Sequence, residues 1–234
     1  MVKIQAVIPV WRRPDIVRVC AEMMPDWVDP IWVLSMEDPD IKEILSILGV
    51  NYFIFAKNDN LSAKHNTAYK HLQWFDDYDY VMAMGSDTVI HPDYKAIVDE
   101  QTGKNAAVFG MGAVDVMKWD TGEGAEWWLP RDAPEVFGAG RCISRRVIEE
   151  LKGEIYPDNL DRGLDTASQK RIKAAGFEVT KILPESGRGM VLDIKNEYNI
   201  NPWELVTNRL DDKHKLSREH IRKRYSIKQS HKYP

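Results

Sequence analysis

Charged and polar side chains recur in this chain directly after short apolar runs. Arg12 and Arg13 follow residues 4–10, Glu37 and Asp38 follow 31–34, Asn58, Asp59 and Asn60 follow 52–55, and Asp87 follows 80–84. Arginines so placed neutralise phosphates, and carboxylates hydrogen-bond a base or ribose or hold a metal ion through oxygen. Each is equally a residue that simply turns a loop, and Asp87, after Gly85-Ser86 and before His91-Pro92, has the alternative role of a turn or helix-capping Asp. Trp127 and Trp128 stand side by side in a Gly-rich stretch. In an extended chain they face opposite ways, so one is free to stack on a sugar ring or a base while the other anchors the core.

The elements that must carry these residues follow from periodicity. Residues 4–10, 31–34, 52–55 and 80–84 read as buried strands, too short and too continuously apolar for helices. Between them lie a helix opened by Pro14, one started by Asp38-Pro39 and stopped by Gly49, and one from Leu61-Ser62 to about Phe75. Strand–helix alternation of this kind implies an α/β fold with a mainly parallel sheet and helices on both faces, and it brings all four strand-end clusters to one edge. The second half reads as strands at 106–111 and 136–144 around a Gly- and Trp-rich segment, 119–130. A short helix at 145–151 follows, then a helix at 166–175 capped by Asp165, and a strand at 179–183. One compact domain over 1–202 with a basic C-terminal extension over 203–234 is the economical division.

Composition narrows the class. A chain of 234 residues, 44% apolar and 29% charged, buries a sizeable core. The two cysteines, Cys20 and Cys142, form no CxxC pair, so neither a zinc knuckle nor a disulfide framework is signalled, and a reducing compartment is expected. With neither a leader-like N-terminus nor an apolar run of roughly 18 residues, the expectation is a soluble, intracellular, cytoplasmic protein without membrane insertion. Charge is uneven: from Lys213 onward eight Lys or Arg oppose one acid, Glu219, so the tail is near +7 and, with −4 overall, the rest near −11. A basic tail on an acidic body fits a polyanionic partner such as nucleic acid, or an inert solvated terminus.

Five motifs in order add a resemblance. Pro9-Val-Trp-Arg-Arg-Pro14, Asn60-Leu-Ser-Ala-Lys-His-Asn66 and Tyr80-Val-Met-Ala-Met-Gly-Ser-Asp87 come first. Val136-Phe-Gly-Ala-Gly-Arg-Cys-Ile-Ser-Arg-Arg146 and the stretch from Gly163-Leu-Asp165 to Gly176-Phe177 come after. Together, over roughly residues 3–195, these resemble the landmarks of GT-A-fold, family 2-like nucleotide-sugar glycosyltransferases.

The resemblance implies a nucleotide-sugar donor, with UDP as its nucleotide, and a divalent metal, Mn2+ or Mg2+, at Asp87 bridging the donor diphosphate. It implies Asp165 as the base that deprotonates an acceptor hydroxyl, with inversion at the anomeric carbon. Pro9, Val10, Arg12, Glu37, Asp38, Ser62, Lys64, Asn66 and Ser86 would lie along the nucleotide, and Trp127, Trp128, Gly138 and Arg141 on the acceptor side. Gly85 stands where the family's first metal-motif Asp is usual and Leu164 where an acid precedes the base. Asp193 is therefore a candidate second metal ligand and Asp165 the base of that motif. The acceptor is open: DNA engaged through the basic tail, for example a hydroxymethylated base in viral DNA, or a soluble glycan or protein hydroxyl. A non-catalytic nucleic-acid-binding protein and a nucleotidyltransferase on the same scaffold are the competing readings. Against the latter, Pro9-Val-Trp-Arg-Arg contains no glycine with which to cradle phosphates.

Overall fold

The computed structural model describes residues 2–49, 53–74, 77–129, 134–184, 189–196, 203 and 215–227. Its first half alternates as the apolar runs require. Strands β1 (Ile4–Pro9), β2 (Val28–Leu34), β3 (Phe53–Phe55) and β4 (Tyr80–Ala83) are separated by helices α1 (Pro14–Glu22), α2 (Ile41–Leu48) and α3 (Leu61–Leu72). These strands are parallel, with β1 between β2 and β4. Their continuous apolar character has a direct cause, because both faces are covered. Ala6, Ile8 and Met82 pack with α1, α2 and α4 (Tyr94–Gly103), while Val7 and Val81 pack with α3, α5 (Arg145–Glu150) and α6 (Leu164–Ala174).

The remaining strands are β5 (Thr88–Ile90), β6 (Val108–Met111), β7 (Ala113–Lys118), β8 (Gly124–Trp128), β9 (Arg141–Ser144), β10 (Val179–Ile182), β11 (Val191–Lys195) and β12 (Lys215–Leu216), followed by helix α7 (Arg218–Tyr225). β9 lies antiparallel between β4 and β6, completing a seven-stranded sheet in the order β10-β6-β9-β4-β1-β2-β3. A second sheet, β12-β8-β7-β11-β5, was not anticipated. Among the described residues no helix is long and apolar enough to cross a membrane.

Local chemistry explains where the observed elements differ from expectation. The strand expected over 136–144 begins only at Arg141, because Gly140 is left-handed (φ 74) and donates to Ala83 O, turning the chain before the ladder starts. The Gly- and Trp-rich 119–130 segment, expected only to separate two strands, supplies β8, whose Val114↔Trp127 register with β7 makes the tryptophans part of a sheet. Asp165 was expected to cap its helix; the cap is Gly163, left-handed at φ 68, and Asp165 lies inside the first turn. α2 starts at Ile41, after Asp40 rather than Asp38.

The C-terminal stretch is built into the second sheet where it is described. Ile221, Tyr225 and Ile227 are buried with Ile16, Val19 and Cys20 of α1 and with Leu192 and Ile194 of β11. Arg224 does not face solvent. Its Nη1 donates to Asp115 Oδ2 at 2.6 Å and lies 3.9 Å from Glu126, while Tyr225 OH donates to the same Asp115 oxygen at 2.9 Å. Asp115 itself is fully buried, with Gly189 pressed so closely on its carboxylate that a Cβ there would collide with it. Lys213, His214, Lys228, His231 and Lys232 lie outside the described residues.

Candidate active site

The cleft begins where β1 ends. Past Pro9 the chain turns through Arg12 and Arg13, both left-handed at φ 57 and 63. Non-glycine residues there carry strain of about 1–3 kcal/mol each, so surrounding contacts must hold them. Asp38 holds the first. It is buried, its Oδ2 accepting the Arg12 N–H at 2.6 Å and its Oδ1 the Asp40 N–H at 2.9 Å, so both oxygens serve the backbone. Arg13 is held through its side chain: Nη1 donates to Asp87 Oδ2 at 2.9 Å and Nη2 to Ser86 Oγ at 3.0 Å. Glu37, beside this loop, accepts the Asn58 N–H at 3.3 Å.

α3 supplies one wall. Asn60 caps it, accepting the Ala63 N–H at 2.8 Å, and Leu61, Lys64 and His65 share a face at i, i+3 and i+4. Lys64 Nζ donates to Val10 O at 3.3 Å and stands 4.9 Å from the centre of the Trp11 ring. Burial lowers the Lys64 pKa, opposed by Asp38 and Glu37. Burial, with Arg141 adding to it, pushes His65 down to about 3, so the imidazole is neutral at pH 7 and neither binds anions as a cation nor exchanges protons there. Two residues expected along the nucleotide are engaged inside the wall. Ser62 Oγ donates to Asn60 Oδ1 at 2.6 Å and accepts the Leu160 N–H at 3.1 Å. Asn66 bonds the Tyr156 backbone in both directions, at 2.8 and 3.0 Å, fixing that ring on the cleft.

The floor carries the acids. Gly85 and Thr88 close a tight turn after β4, with Gly85 N–H donating to Thr88 Oγ1 at 3.0 Å. A Cβ at Gly85 would meet Asp87 Oδ1 as that carboxylate stands, so an acid at this position would require Asp87 to turn. β5 and β11 are antiparallel, with Ile194 N–H on Asp87 O at 2.8 Å, so Asp87, the residue before β5, and Asp193 on β11 stand close and line one cleft of about 260 Å3. Lys195, two residues along the same strand and buried, donates to Asp193 Oδ2 at 2.5 Å. Burial pushes the Asp193 carboxyl up to about 6, Lys195 opposing the rise and Asp87 adding to it.

Asp165 reaches the same cleft from the first turn of α6. Its carboxylate lies against Gly138, where a Cβ would collide with Oδ1. Its main-chain oxygen accepts from Ser168 Oγ and Gln169 Nε2, both at 3.0 Å, and from Arg141 Nη1 at 3.4 Å. Gln169 also bonds the Val136 backbone at 3.0 and 2.8 Å, tying the helix to the segment that crosses Asp165. Arg141 is fully buried behind the cleft, donating to Tyr156 OH at 2.9 Å. Trp127 and Trp128 lie outside the lining, Trp127 against Phe137 at 5.1 Å and Trp128 Nε1 directed at Glu126.

The cleft therefore gathers Pro9, Val10, Lys64, Ser86, Asp87, Gly138, Asp165 and Asp193 from the expected residues. It also takes in Arg13, one of the two arginines noted after the first apolar run, and adds Trp11, His65, Tyr156 and Lys195. Lys195 has a sequence signal, an acid and a base two apart on a strand and so on one face. Tyr156 has none, because its place depends on Asn66, 90 residues away.

A divalent ion fits this donor set. Asp193 Oδ1 is buried without a hydrogen-bond partner, and Asp87 offers a second carboxylate from the turn that leads into the adjoining strand. Among the described residues no cluster of three or more His, Cys, Asp or Glu forms a closed metal cage. Two protein carboxylates completed by substrate phosphates and water is the manner in which Mg2+-like ions bind.

These elements make a GT-A-like fold, the architecture of nucleotide-sugar and nucleotidyl transferases. S. aureus TarS (residues 1–349), a GT-A glycosyltransferase, is similar with a TM-score of 0.53 at 14% identity, over 82% of this chain and 60% of that one. Against a longer TarS chain the similarity is 0.53 at 12% identity, and this chain spans 36% of its length. A 4-diphosphocytidyl-2C-methyl-D-erythritol synthase is similar at 0.54 and 14% identity, over 80% of this chain and 91% of that one. At these identities the likeness is one of fold. No protein-family model matches the sequence, and no curated protein matches it.

Proposed function

We propose that this chain is an inverting glycosyltransferase that moves a sugar from a nucleotide-sugar, with UDP as the nucleotide, to an acceptor hydroxyl. The observation that carries this reading is the meeting in one cleft of a paired acid site, Asp87 and Asp193, with a separate carboxylate, Asp165. Asp165, held by Gly138 and the Gln169 bridge, accepts the acceptor's proton as its oxygen bonds the anomeric carbon. The bond from that carbon to the diphosphate breaks, and the diphosphate leaves with the electron pair. A base facing the leaving group across the sugar gives single displacement and inversion. Asp87 and Asp193 would hold a divalent ion, Mn2+ or Mg2+, which when bound neutralises charge developing on the leaving group.

A polyanionic acceptor is supported by Lys215, Arg218 and Lys223, which are basic and exposed beside and on α7; hydroxymethylated DNA is the acceptor to test first. The competing reading, nucleotidyl transfer, draws on the fold shared with the erythritol synthase. It would release pyrophosphate from a nucleoside triphosphate. The test supplies a panel of nucleotide-sugars with Mn2+ or Mg2+, with and without hydroxymethylated DNA, and measures nucleotide release. Release that falls in Asp165→Asn by roughly 10²–10⁴, the size of a lost general base, supports the proposal. Pyrophosphate release from a triphosphate with no nucleotide-sugar turnover refutes it.

A further inference from the structure

The charges in the cleft are grouped in a way the catalytic roles above leave unused. Asp87 is paired with Arg13 at 2.9 Å and Asp193 with Lys195 at 2.5 Å. All four groups belong to one cleft, and their charges sum to zero. Neither cation is a surface ornament: the Arg13 side chain is 11% exposed and that of Lys195 6%. Burying two ion pairs is unfavourable unless the charges are wanted there, because the desolvation penalty competes with the attraction. The backbone reinforces the placement of Arg13, whose own left-handed conformation aims its guanidinium at Ser86 and Asp87.

We propose that Arg13 and Lys195 form a diphosphate clamp that exchanges partners, holding Asp87 and Asp193 in the empty cleft and turning to the donor's phosphate oxygens when the two carboxylates take a divalent ion. The balance closes. The two carboxylates are matched by the ion's two positive charges, and the two released cations match the roughly two negative charges of a nucleoside diphosphate ester. A guanidinium suits this task because it bonds two phosphate oxygens in a planar fork, and an ammonium serves as a compact point charge. Without the exchange, a donor would enter a cleft in which Arg13 and Lys195 are already paired with carboxylates.

The clamp rests on the nucleotide-sugar reading, and the experiment separates the two. Calorimetric binding is measured for UDP, GDP, ADP, CDP and dTDP, each against its own nucleoside, with Mg2+ and with EDTA. For the diphosphate that binds most tightly, Arg13→Ala and Lys195→Ala are expected to weaken binding by about tenfold to a hundredfold, the scale of a charge-assisted hydrogen bond, with nucleoside binding unchanged. Lys195→Arg, which keeps the charge, stays within about threefold of the parent on the same scale. Thermal unfolding of each variant identifies any that fail to fold, and Arg13→Ala carries the test if Lys195→Ala is one of them. Alanine variants that fold and bind the diphosphate as the parent does overturn the clamp and leave the transferase reading standing. A parent that binds none of the nucleotides or nucleosides overturns that reading and the clamp with it.

Discussion

Replacing Arg224 by Met tests whether the C-terminal helix is part of the core. The substitution keeps most of the aliphatic stem and removes the guanidinium that lies 2.6 Å from Asp115 and 3.9 Å from Glu126. Asp115 has no water to turn to, being fully buried beneath Gly189. Breaking a buried pair by removing one partner costs about 3–5 kcal/mol, and at about 2–4 °C per kcal/mol for a chain of this size the midpoint should fall by roughly 6–20 °C. The pH dependence follows from the direction of the Asp115 shift. Burial already raises its pKa, Arg224 and Tyr225 opposing the rise. A carboxyl whose folded pKa is raised stabilises the fold when protonated and loses that contribution as pH climbs through the folded pKa. Without Arg224 the rise is larger, so the deficit is greatest at neutral pH and shrinks as pH falls toward the ordinary carboxylate range. Differential scanning calorimetry at pH 5 and pH 7.5 reads both effects. The double variant Asp115→Asn/Arg224→Met, which removes the carboxylate that faced the guanidinium most closely and leaves only the longer Glu126 contact broken, should recover most of the loss. A midpoint unchanged within about 2 °C, below the smallest effect expected from a broken buried pair, or a deficit independent of pH, would refute the argument.

Other outcomes follow from the geometry of the cleft. Gly138→Ala drives a methyl into Asp165 Oδ1 and should lower turnover at least tenfold while nucleotide binding, read by calorimetry, is retained. Asn66→Ala removes both bonds to the Tyr156 backbone; lost buried hydrogen bonds of this kind destabilise by about 1–3 kcal/mol, measurable by urea unfolding. Deleting residues 215–234 strips Ile221, Tyr225 and Ile227 from the cluster they share with α1 and β11, and should leave a chain without a cooperative thermal transition.

Much of the first half is legible in the residues because its strands are buried on both faces. Runs such as residues 4–10 and 80–84 have no competing period, and Pro14 and Gly49 punctuate the helices between them. The second sheet is illegible for the opposite reason. β7 and β8 carry Asp115 and Glu126 at buried positions, so their apolar pattern is interrupted by charges whose partner, Arg224, lies about a hundred residues later. The same long-range pairing hid the character of the tail, although Ile221 and Tyr225, four apart, mark a single apolar stripe through a basic helix. In the cleft, Asp87 and Asp165 stand out by type and place, whereas Asp193 is a candidate by type alone, its strand belonging to the unanticipated second sheet. Asp38 stands out too, yet what its oxygens accept is decided by the Arg12 turn, which has no sequence signature beyond two adjacent arginines.

Strand β11 is shared between two regions of the molecule. Asp193 and Lys195 line the cleft, while Leu192 and Ile194, alternating with them, pack among Ile221, Tyr225 and Ile227. A genetic screen that scores only loss of product would therefore place Ile221 and Tyr225 beside Asp193 on a map of essential positions, though neither lines the cleft. Second-site suppressors would tell the classes apart: a damaged Ile221 is open to rescue by volume changes at Leu192 or Ile194, whereas a missing carboxylate at 193 is not. Inheritance would then couple the tail to the strand that lines the cleft, with substitutions in one constraining those tolerated in the other.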